Sequence, residues 1–303
     1  MAERRYRIVG LGELLWDLLP AGKQLGGAPA NFAYISTLLG NEGIVASRLG
    51  ADSLGNEAAS KLESLGLNTR YIQRDQVHPT GQVSVDVDGR GQPRFEIAEG
   101  AAWDYLEWTP EWQELAAKAD AVCFGSLAQR GALSGSTIRE FLRALGGTVV
   151  RIFDVNLRES FYAKDVIVES LKLADILKIN DEELPKVTAL CGLEYRDEVG
   201  SARALLAYSN LKLVCVTRGC HGSLLVKGDL VSEHPGHPVQ VADTVGAGDA
   251  FTAALVNGYL KGAGLDAINE AANRVGAWVA SQVGAMPAVG PEGVRDILAH
   301  VRG

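Results

Sequence analysis

The sequence has few of the features that mark secreted or metal-binding proteins. Its 303 residues include four cysteines, Cys123, Cys191, Cys215 and Cys220, and none of them forms a C-x-x-C pair. A disulfide framework or a cysteine-based metal centre is therefore not indicated. Cys123 and Cys215 lie in apolar, strand-like runs, where buried thiols are common. We interpret all four as structural thiols.

Membrane and nucleic-acid partners are also not indicated. No uninterrupted apolar run has the length needed to span a bilayer, and residues 1–7 lack the apolar stretch of a signal peptide. The formal net charge is −8, and no long Lys/Arg cluster offsets it. A phosphate backbone would meet little general attraction, although a small nucleotide needs only a local positive site. We expect a cytoplasmic protein.

Several motifs of other enzyme classes are missing. No Lys is followed by Ser or Thr, which excludes a Walker A loop, and no G-x-G-x-x-G opens the first strand-to-helix connection. The G-x-S-x-G elbow of serine hydrolases is absent as well. His234 and His237 lie in His-Pro-Gly-His-Pro, where the prolines and the lack of further ligand spacing favour a plain loop. We assign that loop no function.

Apolar residues make up 47% of the chain and alternate between strand-like and helical patterns. Short β-rich runs separated by amphipathic segments are typical of a parallel sheet with helices on both faces. The sequence therefore predicts a single α/β domain, residues 1–303, with a doubly wound, mostly parallel sheet. The predicted strands are 8–11, 44–49, 121–124, 149–154, 176–179 and 213–217, and the predicted helices include one from Pro29, one over 53–65 that Gly66 ends, and one over 267–281.

One region breaks this alternation. Val83, Val85 and Val87 alternate with polar residues, 88–91 has turn chemistry, and Phe95 and Ile97 follow. This pattern predicts an antiparallel hairpin.

The segment from Asp243 to Phe251 favours phosphoryl transfer. Gly246, Ala247 and Gly248 are small enough for backbone N–H groups to converge on an anion at the start of a helix. Asp249, in the first turn, is positioned to accept a proton from an attacking hydroxyl. The same residues also suit an ordinary helix start.

A second glycine-rich turn enters another helix at residues 26–33. Gly26 and Gly27 would let a ligand approach the backbone, and Asn31 offers a donor and an acceptor to a polyol. Pro29 suits the first helical positions and Gly40 suits the end.

Together, the two segments resemble the paired signatures of the ribokinase-like (PfkB) family of carbohydrate kinases. The first signature runs from Gly26 through Asn31 and Gly40 to Gly50, and the second from Asp243 to Leu255. The resemblance implies transfer of the γ-phosphate of ATP, with Mg²⁺, to a primary hydroxyl of a sugar. It also implies a small β lid, formed by about 14–19 and 70–100, that often mediates homodimer contacts.

The resemblance assigns roles to further residues around the sugar. It places Asp17, Gly26, Gly27, Asn31, Arg158 and Asp249 at the substrate, with Arg158 also beside the reacting groups. Without the resemblance, Asp17 would be interpreted as a surface carboxylate. Arg158, in Asp154-Val155-Asn156-Leu157-Arg158, would be interpreted as a solvated loop residue.

The nucleotide residues implied by the resemblance are Asn180, Glu183, Thr217, Gly219, Gly222, Val245, Gly246, Ala247, Gly248 and Asn273. Asn180 and Glu183 would position Mg²⁺ through water, although Asn followed by Glu is also a common helix cap. Residues 217–222 also suit a hairpin turn. Asp243, with backbone near Gly284, is the candidate site for K⁺.

The substrate preference rests on resemblance alone. Residues 156–158, 161–162, 80–81 and 101–103 are most similar to those of fructokinases, which favours D-fructose. The alternatives are 2-keto-3-deoxygluconate or another ketose or ribose, because one hydroxyl contact can decide between sugars. A third interpretation is a non-catalytic sensor of sugar or nucleotide on the same scaffold.

Overall fold

The computed structural model describes residues 4–19, 22–87, 93–289 and 293. Within these residues the chain forms thirteen strands and nine α-helices. The strands are β1 (Arg7–Leu11), β2 (Leu15–Leu19), β3 (Gly22–Gly26), β4 (Glu42–Gly50), β5 (Ile72–Asp75), β6 (Gly81–Val87), β7 (Pro93–Ile97), β8 (Ala121–Phe124), β9 (Val150–Asp154), β10 (Ile176–Asn180), β11 (Leu213–Thr217), β12 (Ser223–Lys227) and β13 (Leu230–His234). The helices are α1 (Ala28–Leu38), α2 (Ser53–Ser64), α3 (Pro110–Lys118), α4 (Ala132–Ala144), α5 (Lys164–Leu173), α6 (Glu183–Leu190), α7 (Glu198–Ser209), α8 (Ala247–Leu260) and α9 (Leu265–Ala280).

In the described part of the chain, nine strands form one large sheet in the order β13-β12-β11-β10-β9-β8-β1-β4-β5. The strands from β11 to β5 are parallel, and β12 and β13 return antiparallel at one edge. This arrangement confirms the predicted α/β class and the mostly parallel sheet. The predicted strands are all present, with ends that differ by two residues or fewer.

Helices cover both faces of the large sheet because successive strand residues point to opposite sides. In β1, Val9 and Leu11 pack into one core with residues of α3 to α7. Ile8, which directly precedes Val9, points to the opposite side and packs into the other core with residues of α1, α2, α8 and α9. The core that contains Ile8 therefore places α1 and α8 side by side.

A small sheet carries the other four described strands in the order β3-β2-β6-β7. It includes the predicted hairpin of β6 and β7, whose turn at 88–91 lies outside the described residues. The predicted lid range 70–100 begins too early, because β5 pairs with β4 in the large sheet. The small sheet also gains β3, which pairs with β2 and was absent from the prediction.

The carboxyl ends of the parallel strands define where a site can form. β1 lies between β4 and β8. The chain first adds β4 and β5 on one side of β1, and later adds β8 and the strands after it on the other side. In open α/β sheets, ligands bind outside the carboxyl ends at such a switch point. Residues that follow β1, β8 and β9 meet there.

Other predictions concern cysteines and membranes. Cys123, Cys191 and Cys215 are buried free thiols, whereas Cys220 is exposed. The structural role expected for all four therefore does not extend to Cys220. In the described ranges no helix is long and apolar enough to cross a bilayer.

Candidate active site

The first turns of α1 and α8 bring the two glycine-rich segments together. Asn31 Nδ2 donates a hydrogen bond to Asp249 Oδ2 over 2.8 Å, although the residues are 218 positions apart in the sequence. Asn31 is buried and Asp249 is partly buried. One cleft therefore contains both segments.

The N-terminus of α8 presents backbone N–H groups. Gly246 precedes the helix in the left-handed region, with φ of 79°, and no described side chain caps the helix. A Cβ at Gly246 would lie 2.3 Å from the Cβ of Ala285, so the turn requires glycine. The Ala247 N–H donates a long hydrogen bond, with 3.3 Å between its nitrogen and the Thr244 carbonyl oxygen. The first N–H groups of a helix have no acceptor within the helix, and together with the helix dipole they suit an anion.

Asp249 has the ionisation expected of a buried base. Burial raises the pKa of its carboxyl to about 6, and the negative charge of Asp154 adds to the increase. The hydrogen bond from Asn31 and the positive charges of Lys178 and Arg158 act in the opposite direction. A pKa near 6 leaves the carboxylate ionised at neutral pH and still basic enough to take a proton.

Asp17 lies on β2, at the entrance to the cleft. Burial raises the pKa of its carboxyl to about 6, with Arg158 lowering it and Asp243 raising it. A Cβ at Gly26 would lie 2.4 Å from Asp17 Oδ2, so the carboxylate packs directly on that glycine. Gly27, with φ of 111°, lies against the carbonyl of Glu13, where a Cβ would approach to 2.5 Å. Both glycines therefore allow the close approach of β2 to the start of α1.

Glu13, which follows β1, is a site residue that our sequence reasoning missed. It is 3% exposed, and Oε2 has no hydrogen-bond partner in the described part of the chain. Burial raises the pKa of its carboxyl to about 7. It lines a cavity of about 10 Å³, the space of one water molecule, together with Asp154 and Asp249. The signal in the sequence is a single acid within the apolar run 8–16.

Arg158 follows β9 through Asn156, whose φ is 42°. Its side chain is exposed. Its charge still lowers the pKa of Glu13, Asp17 and Asp249, so it faces the same cleft. The structure therefore brings Arg158 together with the residues assigned to the sugar.

Asn180 and Glu183 form a reciprocal helix cap. Asn180 Oδ1 accepts from the Glu183 N–H at 2.8 Å, and Glu183 Oε2 accepts from the Asn180 N–H at 3.0 Å. Glu183 Oε1 also accepts from the Leu157 N–H at 2.7 Å, which ties the segment after β9 to the end of β10. Both carboxylate oxygens thus accept backbone hydrogen bonds, and the role of Asn180 and Glu183 toward Mg²⁺ stays a prediction.

The turn between β11 and β12 contains two glycines that were predicted to face the nucleotide. Gly219, with φ of 56°, has open space around it, as a ligand-facing glycine would. At Gly222, however, a Cβ would lie 1.9 Å from the carbonyl oxygen of His234. Gly222 therefore accommodates the protein's own backbone. Thr217 uses its hydroxyl to reach the Ile179 carbonyl at 3.4 Å.

Asn273, predicted to lie beside the base, makes hydrogen bonds within the protein. It is 7% exposed, and its Nδ2 donates to Ser223 Oγ at 2.7 Å and to Asn269. These internal hydrogen bonds join α9 to β12. The amide nitrogen of Asn273 is therefore used within the protein, and its place beside the base stays a prediction.

Asp243 and Gly284 do meet. The Asp243 carboxylate accepts from the Gly284 N–H at 3.2 Å and from the Val245 N–H at 3.0 Å. Val245 itself is exposed. The two loops proposed for a monovalent cation are therefore adjacent, with a carboxylate between them.

The two histidines of the His-Pro-Gly-His-Pro loop meet Glu270, a partner that the sequence did not indicate. His234 Nε2 lies 2.6 Å and His237 Nε2 lies 3.2 Å from its carboxylate, which Arg274 also contacts. Such a group is able to hold a metal ion in principle. However, the Gly236 N–H donates to His234 Nδ1 at 2.9 Å, which leaves the proton of a neutral ring on Nε2. That tautomer suits a hydrogen bond to Glu270 better than a metal.

Comparison with known proteins identifies the family. The family model described as "pfkB family carbohydrate kinase" matches residues 20–290 of this chain. The chain belongs to the PfkB family of carbohydrate kinases. The resemblance of the two signatures is thereby confirmed, and the protein is a sugar kinase by family.

PfkB relatives match the chain over most of its length. Fructokinase from Escherichia coli is 31% identical over 305 residues, 92% of this chain and 94% of its own. A sugar kinase from Pyrococcus horikoshii has a structure with TM-score 0.83 and 30% identity, covering 98% of each chain. Fructokinase from Vibrio cholerae, solved with fructose, ADP and potassium, has TM-score 0.80 and 25% identity, covering 98% of this chain and 100% of its own.

Proposed function

We propose that this PfkB kinase transfers the γ-phosphate of ATP to a primary hydroxyl of a sugar, and that D-fructose is its preferred substrate. The 2.8 Å hydrogen bond between Asn31 and Asp249 carries the proposal, because it joins the turn proposed to bind the sugar to the proposed base at the N-terminus of α8. The fructokinase relatives, and the fructose bound in the structure of the Vibrio cholerae fructokinase, support the choice of sugar.

The cleft has unmet acceptors that suit a polyol. Glu13 Oε2 and Asn31 Oδ1 are buried and lack a hydrogen-bond partner within the described ranges. Buried polar atoms without partners are rare and call for an explanation. A sugar would supply hydroxyl donors to both atoms and to Asp17, which can accept from two hydroxyls.

In the proposed mechanism, Asp249 takes the proton of the attacking hydroxyl, whose oxygen forms the new bond to the γ-phosphorus. The bond from that phosphorus to the β–γ bridging oxygen breaks, and ADP leaves with its electron pair. The N–H groups at residues 246–248 stabilise the negative charge of the transferred phosphoryl group. Mg²⁺, when bound, would neutralise phosphate charge, with Glu183 and Asn180 acting through water. Arg158 orients the sugar or the phosphate from the mouth of the cleft.

The test is an ADP-release assay with MgATP across D-fructose, 2-keto-3-deoxygluconate, ribose, tagatose and adenosine. We expect the highest kcat/KM for D-fructose. Higher kcat/KM for 2-keto-3-deoxygluconate would support the second candidate, in which Arg158 binds the substrate carboxylate. Arg158→Gln separates the two, because loss of that contact should reduce activity with the acid far more than activity with fructose.

The third candidate is a sensor without catalysis. Binding of sugar and ATP with no ADP release from any substrate would favour it. A base at the anion-binding turn has no use in a sensor, so we expect ADP release.

We also propose that the small sheet mediates homodimer contacts. Sedimentation of the protein with and without charged substitutions on β2 and β3 tests this. A monomer at all concentrations would contradict it.

A further inference from the structure

Two oppositely charged side chains lie buried side by side, one at the last residue of β9 and one in the middle of β10. Asp154 and Lys178 are direct partners in the register of these parallel strands, and Lys178 Nζ lies 3.0 Å from Asp154 Oδ1. Their side chains are 6% and 9% exposed. Burying an ion pair gives little net stability compared with apolar residues of similar volume, so stability alone does not explain this pair.

The contacts of the pair lead to the first turn of α8. The Thr252 hydroxyl lies 3.1 Å from Asp154 Oδ2 and 2.9 Å from the carbonyl oxygen of Gly248. On the other side, a Cβ at Gly248 would lie 3.2 Å from Lys178 Nζ. The ammonium group therefore packs against the glycine that directly precedes Asp249.

We infer that Asp154 and Lys178 are positioning residues of the phosphoryl-transfer site: Asp154 anchors the first turn of α8 through Thr252, and Lys178 presents a positive charge at Gly248. The inference rests on the proposed function, because it assigns the pair to the base and anion-binding turn of that reaction. Neither residue touches the reacting atoms in this arrangement.

The two charges act on Asp249 in opposite directions. Asp154 raises the pKa of the Asp249 carboxyl and Lys178 lowers it. Burial would lower the pKa of Lys178 itself, but the surrounding carboxylates outweigh burial and raise it, so the ammonium stays charged. The groups that face Asp249 from the neighbouring elements are Glu13 after β1, Asn31 on α1, Cys123 on β8, Asp154 on β9, Arg158 after β9 and Lys178 on β10.

The test measures the pKa of the Asp249 carboxyl in the ligand-free protein by ¹³C NMR titration, with Asp249→Asn to assign the signal. Lys178→Met should raise this pKa, and Asp154→Asn should lower it, each by roughly one unit. The double variant should return it to near the wild-type value. In the kinase assay, the pH at which kcat/KM falls on the acid side should move with this pKa. A pKa change of one unit then changes kcat/KM tenfold at any pH well below the pKa.

Two further variants separate charge from packing. Lys178→Arg keeps the charge and should keep the wild-type pKa. Thr252→Val removes the hydroxyl and should reduce kcat while leaving the acid limb in place. If Lys178→Met does not fold, Asp154→Asn and the double variant still test whether removing the second charge reverses the effect of the first.

Shifts of the Asp249 pKa in the same direction in both single variants, or no shift in either, would overturn the inference. The NMR titration needs no turnover. A wild-type protein that phosphorylates none of the sugars would overturn the proposed function and leave the titration result to decide the inference separately.

Discussion

Asn31 Nδ2 and Asp249 Oδ2 lie 2.8 Å apart at the N-termini of α1 and α8. The hydrogen bond leaves Asn31 Oδ1 and the second carboxylate oxygen available in the cleft. It also lowers the pKa of a carboxyl that burial raises. The bond therefore fixes the position of the proposed base and partly offsets the effect of burial on its pKa.

Replacement of Asp249 by Asn should abolish the base while preserving the shape of the turn. We expect kcat to fall by roughly 10²- to 10⁴-fold, because general-base catalysis contributes about that much. ATP affinity should change little, since the lost interaction belongs to the transition state. Initial rates and ATP binding by calorimetry check this. Near wild-type turnover with the best sugar would contradict the assignment.

Replacement of Gly246 by Ala should disrupt the anion-binding turn. The new Cβ would clash with Ala285 at 2.3 Å in a residue with φ of 79°. Gly262, at the end of α8, is the matched control, because its φ is 71° and a Cβ there meets nothing within 4 Å. Gly262→Ala should cost about 1–2 kcal/mol of stability and keep activity.

Thermal unfolding and kcat/KM for both glycine variants separate strain from the clash. We expect loss of activity in Gly246→Ala alone. Equal activity in the two variants would mean that the turn does not bind the phosphate.

Asp17→Asn should weaken sugar binding. Asparagine keeps the volume beside Gly26 but loses the charge-assisted acceptors for two hydroxyls. We expect the KM for the sugar to rise by roughly tenfold or more, which corresponds to one hydrogen bond to a charged group, and the KM for ATP to stay within about twofold. Steady-state kinetics with each substrate varied checks this. An equal rise in both KM values would place Asp17 elsewhere in the mechanism.

Glu13→Gln should stabilise the protein at alkaline pH. Burial raises the pKa of Glu13 from 4.5 to about 7, so the folded protein binds this proton more tightly than the unfolded chain. Its contribution to stability therefore falls as the pH rises from 4.5 through 7, by up to about 3 kcal/mol. The Glu13→Gln variant has no carboxyl group to titrate here, so its stability does not fall for this reason. We expect a higher Tm than wild type at pH 8 and an equal Tm at pH 4; equal values at both would contradict it.

Asp243→Asn tests the candidate cation site. The carboxylate lies between the Val245 and Gly284 backbone, so its negative charge would stabilise a monovalent ion there. We expect wild-type kcat to be higher in KCl than in choline chloride, and this difference to shrink in the variant. Equal wild-type rates in potassium, sodium and choline would remove support for the site.

Local patterns predicted much of the fold. Alternating apolar runs gave the strands of the large sheet, and the glycine-rich turns gave the starts of α1 and α8. The α/β class and the PfkB family are confirmed, while the roles of the individual site residues stay predictions. The lid was predicted less well, because whether β5 pairs with β4 or with the hairpin depends on partners distant in the sequence.

The site shows the same division. Asp249 and Asn31 were identified from their turns, and the structure joins them. Glu13 and the Asp154–Lys178 pair were missed, because a lone charge within an apolar run has meaning only once its partner is known. Asn273 and Gly222 have the residue types of ligand contacts, yet internal hydrogen bonds and backbone packing account for both.

The sequence by itself determined the α/β class, the family and the two glycine-rich turns that we propose receive an anion and a polyol, because helix starts and strand periodicity depend on residues close together in the chain. The tertiary structure decided which carboxyls are buried, which charges face each other and which amides are already used. Those properties depend on the strand order and on the packing of α1 against α8, which bring together residues more than 200 positions apart.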